Sequence, residues 1–299
     1  KNSPYAYFTP SRLLDLSPWP GDRYRRHKKG FVTTQGSVLR FSDGSRARFW
    51  GVNIANRNLW ITHAEIDTIV ETLHRSGVNM VRFEALDSRG GMLDIPGHPG
   101  SRKMDPEKLD TVHYWISQLR KKGIYYYLDL IDFREFTTED GVENAKAIGR
   151  AGRPYAMFAD ELIALQKEYA QQLLTTTNPY TRLKPVEDPG LALLEICNES
   201  GFWLYPKQTD NLVEPYRTQL QIKWTQWLRK KYPDRASLEA AWGTALGADE
   251  DPANGNVRLP KIKAVDPPAR QRDGMQFLYT VERQYFATMR DYLHQLGLK

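Results

Sequence analysis

Leu191-Ala192-Leu193-Leu194-Glu195-Ile196-Cys197-Asn198-Glu199-Ser200-Gly201 is an apolar run of seven residues, interrupted by one carboxylate, that ends abruptly in Asn-Glu-Ser-Gly. A run of this length with little alternation reads as a strand buried on both faces, as in a parallel sheet. Three further runs upstream have the same character. They are Gly51-Val52-Asn53-Ile54-Ala55, which reads as buried on both sides, Val78-Asn79-Met80-Val81-Arg82-Phe83, and Ile124 through Ile131. Helical patterns separate them. Thr62-His63-Ala64-Glu65 has capping-box spacing, and Ile66, Ile69, Val70 and Leu73 then repeat at helical intervals until Gly77. Asp105-Pro106 opens a second helix with Leu109, Val112, Ile116 and Leu119 on its apolar face, and a third is expected near 159–174, before Asn178-Pro179.

Strands alternating with helices predict right-handed βαβ units and a parallel sheet. The fold class is therefore α/β, of the (β/α)8 TIM-barrel type, with about the first four βα units present. Downstream of Gly201, helices are expected near 213–232, 237–242 and 272–296, with a loop rich in Pro, Gly and Asp between the last two. Upstream, Val32–Thr34 and Val38–Phe41 flank Gln35-Gly36, and a second turn at Asp43-Gly44 leads into Ala47–Trp50, so residues 31–50 read as an antiparallel unit. The expected division is an N-terminal segment with this hairpin at the barrel base over 1–47, and the first half of the barrel over 48–299, with a helical insertion at about 202–270.

The 299 residues are 40% hydrophobic, 26% charged and 12% aromatic, a composition that excludes disordered and fibrous chains. No apolar run is long enough for a bilayer-spanning helix, and Lys1-Asn2-Ser3-Pro4-Tyr5 lacks an apolar signal core, so any export signal is expected to have been removed already. Lys and Arg outnumber Asp and Glu by 42 to 36, yet only Arg23, Arg25, Arg26, Lys28 and Lys29 cluster, without a nucleic-acid motif. Neither nucleic acid nor membrane is an expected partner. One cysteine, Cys197, excludes an internal disulfide and the usual cysteine zinc sites, and its apolar strand points to packing.

In a parallel barrel the chemistry lies at the carboxyl ends of the strands. The polar residues there are Asn53, then Arg82, Glu84 and Asp87, then Asp129 and Asp132, then Asn198 and Glu199. Carboxylates dominate, and neither a Ser-His-Asp set, a phosphate-cradling glycine loop nor a paired-histidine metal site accompanies them, so no metal or organic cofactor is expected. Glu199, at the mouth of an apolar strand, is placed for general-acid work. Asn198 can donate to a substrate hydroxyl, and Arg82 can hold a carboxylate in register or be the ion-pair partner of a buried one. Glu195 shares a face with Cys197 and Glu199 and reads as a structural carboxylate pointing inward. His98 sits in a Gly/Pro loop, where it is either exposed or lining a cleft. Trp203 and Tyr205 suit sugar stacking or loop packing, whereas Trp224, Trp227 and Trp242 belong to a helical core.

On these residues the chain resembles the clan of retaining (β/α)8 glycoside hydrolases that includes the cellulase-like family 5 and the β-galactosidase family 42. The resemblance covers about residues 30–299 and rests on Arg48-Phe49-Trp50-Gly51-Val52-Asn53, Asn79-Met80-Val81-Arg82-Phe83, Gly123 to Asp132, and above all Leu194-Glu195-Ile196-Cys197-Asn198-Glu199. The segments Trp227–Tyr232 and Leu238–Gly243 are similar to a helical insertion after the fourth strand in several such families. The resemblance implies hydrolysis of β-linked oligo- or polysaccharides by double displacement. Glu199 is then the acid/base, Asn198 a ligand of the sugar 2-hydroxyl, and Arg82 a positioner of the nucleophile. Asp132 stands where the cellulase-like branch often carries histidine. Read from their own positions rather than from the resemblance, Trp203 and His98 join Asn198, Arg82 and Asp132 as candidate substrate-binding residues.

Retention needs a second carboxylate about 5–5.5 Å from the first, which these families carry after a seventh strand. The sequence ends at Gly297-Leu298-Lys299, where a fifth would begin, so the nucleophile is expected beyond it, and the missing C-terminal half of the barrel is an expected partner. A non-catalytic carbohydrate-binding protein, or an inactive barrel fragment, is the alternative. The expected location is secreted or periplasmic.

Overall fold

The computed structural model describes residues 29–299. Of the basic cluster, Arg23, Arg25, Arg26 and Lys28 thus lie outside the described residues. Lys29 donates to Ser45 at 3.0 Å and lies over the Phe41 ring. The described residues form two compact units, one of residues 29–134, 167–198 and 291–299, the other of 135–166 and 199–290.

The first unit contains a hairpin, β1 (Val32–Gln35) with β2 (Val38–Phe41), and a four-stranded sheet of β3 (Gly51–Ala55), β4 (Met80–Glu84), β5 (Tyr125–Ile131) and β6 (Leu191–Cys197). Gly36, with φ of 59°, takes the left-handed position of the two-residue hairpin turn. The expected third run, 47–50, stays outside the ladder, which ends in a single bridge from Arg40 to Arg46. Phe41 stacks on Tyr125, the first residue of β5, at 5.4 Å. The hairpin therefore packs at the amino ends of the parallel strands, away from the ends that carry Glu84, Asp129 and Asn198.

All three pairings of the sheet are parallel, in the order β3-β4-β5-β6. The strand order never reverses, so the sheet has no doubly wound switch point. Sequential order with a crossover between each pair is the singly wound arrangement of a (β/α)8 barrel, and four units of it are present.

Local chemistry starts each crossover helix. Thr62 and Glu65 form the capping box of α1 (His63–Arg75), which buries Ile66 and Val70. Asp105 caps α2 (Pro106–Lys121) by accepting from the amides of Glu107 and Lys108. Trp115 of α2 is fully buried, packs against Phe83 of β4, and donates its indole N–H to the Leu59 carbonyl at 2.9 Å. Val81 and Phe83 are thus buried on the helix-covered face. Met80, Arg82 and Glu84, which alternate with them, are only partly covered. The expectation that β3 is buried on both sides is corrected: Gly51 and Asn53 are exposed, because among the described residues β3 pairs on one edge only and no helix covers that face.

The second unit is helical. It holds α3 (Ala145–Ile148), the first part of α4 (Asp160–Thr175), α5 (Pro206–Asp210), α6 (Tyr216–Lys231), α7 (Arg235–Trp242) and most of α8 (Pro268–Gln295). The segment 202–270 therefore shares a unit with 135–166. Its core is built on Trp224, which stacks with Trp227 at 5.4 Å and Trp242 at 6.5 Å and meets Phe277. The polar loop at 247–268 forms no strand and is held by one carboxylate. Glu250 accepts from the amides of Gly247 and Arg258 and from both terminal nitrogens of Arg270, at 2.6–3.1 Å. Burial opposes its ionisation, but the Arg270 fork and the two amides outweigh it and hold the carboxyl at about 2.

A folded-state pKa below the unfolded one stabilises the fold above pH about 4.5, and that contribution disappears as pH falls toward 2. Glu250→Gln should therefore cost about 3 kcal/mol at pH 7 in urea unfolding, the order expected when one partner of a buried ion pair is removed. The gap from the parent should close between pH 4.5 and 2. A gap independent of pH would assign the loss to packing instead.

Candidate active site

Strand register brings the polar residues of the first unit together. Asn53 pairs with Arg82 across β3 and β4, Arg82 with Tyr127 across β4 and β5, and Asp129 with Glu195 across β5 and β6. The period of two then puts Arg82, Glu84, Tyr127, Asp129 and Glu195 on the face that the helices do not cover.

Arg82 is the centre of this face. Its Nε donates to Asp129 Oδ1 at 3.2 Å. Its Nη2 donates to Glu195 Oε2 at 2.9 Å and to Asn198 Oδ1 at 3.2 Å, and lies 2.7 Å from Asp129 Oδ2. Nη1 is 3.9 Å from Glu84, which accepts from Asn53. The guanidinium also lies over the Tyr127 ring, whose hydroxyl donates to Glu195. Burial works against the guanidinium charge, but the hydrogen bond and charge of Asp129, with the charge of Glu195, outweigh it and raise its pKa. A planar fork with five donors suits this geometry; a lysine ammonium could not reach the same set.

Asp129 and Asp132 are each 1% exposed. Asp132 Oδ2 accepts the Ala85 amide at 2.6 Å, from a residue with φ of 65°. Burial pushes Asp129 up to about 8 and Asp132 up to about 6, with the charges of Asp132 and Glu195 adding at Asp129 and those of Asp87 and Glu84 adding at Asp132. Asp87, also buried, accepts the amides of Asp132, Phe133 and Arg134 at 2.9–3.0 Å and so shapes the turn that follows β5.

Of the residues named from sequence, Arg82, Asn198 and Asp132 thus come together, with Asp132 meeting the cluster from the buried side. Arg82 holds Asn198 Oδ1, which fixes the amide flip that leaves Nδ2 as its donor. Glu199, bonded to Asn198 and belonging to the second unit, is exposed and has φ of 44°, a left-handed conformation costly for a residue with a Cβ. His98 is exposed in its loop. Trp203 is 40% exposed and meets Phe202 edge-on, while Tyr205 accepts from Arg153 at 2.6 Å. Tyr127 was not legible as a site residue. Among three consecutive tyrosines, only the register that faces it inward distinguishes it.

Among solved structures, the chain is similar to an endo-1,4-β-mannanase from Rhizomucor miehei, at 18% identity over 67% of this chain and 58% of that one, with a TM-score of 0.45. It is also similar to a glycoside hydrolase family 5 mannosidase from the same organism, at 12% identity over 91% and 72%, with a TM-score of 0.43. A β-glucanase from Saccharophagus degradans matches at 18% identity over 64% and 51%, with a TM-score of 0.36. The chain spans little more than half the length of the mannanase and the glucanase. No protein-family profile and no curated protein matches the chain. No group of three or more potential metal ligands occurs among the described residues, and no helix among them is long and apolar enough to cross a membrane.

Arg82→Met should destabilise the first unit by about 3 kcal/mol in urea unfolding at pH 7. It leaves Glu195 and the Asp129–Asp132 pair without their cation, and partial exposure places the loss at the lower end for a broken buried pair. An unchanged midpoint would show that solvent already screens the cluster.

Proposed function

We propose that the chain carries the acid/base half of a retaining glycosidase for β-linked oligo- or polysaccharides. The observation that carries this reading is the grip of Arg82 on Asn198, the residue bonded to Glu199. It turns the Nδ2 donor of Asn198 outward from the guanidinium, as a ligand of a sugar hydroxyl requires.

In this reading Glu199 protonates the leaving glycosidic oxygen and then, as a carboxylate, takes a proton from the water that releases the glycosyl intermediate. Asn198 donates to the 2-hydroxyl, a contact that strengthens as positive charge develops at the anomeric carbon. Trp203 offers a ring face to a neighbouring sugar, and His98 a loop contact. The attacking carboxylate belongs to a complementing segment that adds strands beside β3 and β6, the outer strands of the sheet among the described residues. A polysaccharide substrate places the work outside the cytoplasm, in a secreted or periplasmic setting.

The test is turnover of β-mannan, β-glucan and short β-glycosides by the full-length protein, with the anomeric configuration of the first product read by NMR. The expected result is retention, with kcat on substrates bearing poor leaving groups falling at least about 100-fold in Glu199→Gln. Binding of saccharide without turnover by the parent would favour a non-catalytic carbohydrate-binding protein. Normal turnover by the variant would remove Glu199 from the chemistry.

A further inference from the structure

We propose that Glu282 is a positioning residue: from α8 it clamps the turn that follows Glu199, and so fixes where the Glu199 carboxyl stands. The functional consequence rests on the reading of Glu199 as the acid/base.

The clamp lies within the helical unit. Glu199 has φ of 44°, and a left-handed residue with a Cβ persists only where its surroundings over-determine it. Its neighbour does not supply that hold, because the Ser200 hydroxyl is buried without a hydrogen-bond partner. Phe202 does. Its ring, 0% exposed, stacks on Phe158 at 5.8 Å, and its carbonyl accepts from the Thr209 hydroxyl at 2.8 Å. Its amide donates to Oε1 of Glu282 at 2.6 Å, across 80 residues of chain.

Two features mark this contact as built. Gly201 is buried and passes directly beside the carboxyl: a Cβ there would stand 3.0 Å from Glu282 Oε1, tighter than most such contacts. The glycine is what lets the carboxyl reach the next amide. The second feature is the cost of the carboxyl. Burial pushes the Glu282 pKa up, and the Phe202 amide, its hydrogen-bond partner among the described residues, offsets only part of that. An apolar side chain would avoid the burial cost and lose the tie.

The helix itself is held on both sides of Glu282. One turn before it Leu278 is fully buried in the Trp224 core, and one turn after it Tyr285 is buried and donates its hydroxyl to Gln166 at 2.6 Å. The position of α8 is thereby passed to the Phe202 amide, and through three peptide bonds to Glu199.

The test has two arms, both on the full chain. NMR follows amide exchange at Phe202 and the signals of Glu199, including its carboxyl carbon, without turnover. In Glu282→Leu the Phe202 amide should exchange at least about 10-fold faster and the Glu199 signals should shift. Glu282→Gln, which keeps an acceptor oxygen, should restore both. Gly201→Ala, which displaces the carboxyl in a chain that retains it, should move the same signals and gives the reading if Glu282→Leu does not fold. Glu199 signals unchanged in these variants would overturn the proposal.

The second arm compares kcat/KM for a β-glycoside with a poor leaving group and for a dinitrophenyl glycoside, whose departure needs no proton. Glu282→Leu should lower the first by about 10- to 100-fold and spare the second, whereas a fold merely loosened loses both alike. Equal losses, or none, would also overturn it. A parent that hydrolyses neither substrate ends the acid/base reading and leaves the first arm to decide the clamp.

Discussion

The constraint on which the site depends is that one guanidinium must satisfy acceptors from two neighbouring strands at once. Arg82 stands on β4, Asp129 on β5, and Glu195 and Asn198 on and just beyond β6. A parallel sheet supplies this because its register aligns side chains of one face in rows, and because its carboxyl ends turn into loops rather than hairpins. The hairpin packs at the other end through Phe41 and Tyr125, so packing and polar chemistry occupy opposite ends of the same strands.

The same face carries an excess of carboxyl groups over cations, and the chain manages it in two ways. Asp87 is spent on backbone amides, where three donors offset part of its burial and set the turn after β5. Burial displaces the pKa of Asp87 upward all the same, and it does so at Asp129 and Asp132 as well, where fewer donors answer the carboxyls. In the helical unit Glu250 goes the opposite way, because Arg270 and two amides answer it alone.

Much of the fold was legible because local chemistry agreed with the long-range pattern. The Thr62–Glu65 box, the Asp105-Pro106 start and the apolar strands each carried their own signal, and the singly wound order follows from chain order. The burial of β3 was not legible, since Gly51–Ala55 has the composition of a central strand and only the pairing reveals that it has one neighbour. In the site, strand-end placement pointed to Arg82, Asp132 and Asn198. The role of Tyr127 stayed hidden, because a tyrosine serving a carboxylate and one filling a core look alike until strand register orients the hydroxyl.

The partners of Arg82 also lie far along the chain, 47, 113 and 116 residues away, whereas β1 meets β2 across a two-residue turn. Loop-closure entropy favours the local pairings first, so the hairpin and the individual βα units can assemble before β6 arrives. The polar centre is then the last part of the sheet to become ordered. A chain halted before Asn198 would hold the apolar faces of β3, β4 and β5 and none of the geometry at Asn198, so the polar centre marks the completion of the sheet rather than its onset.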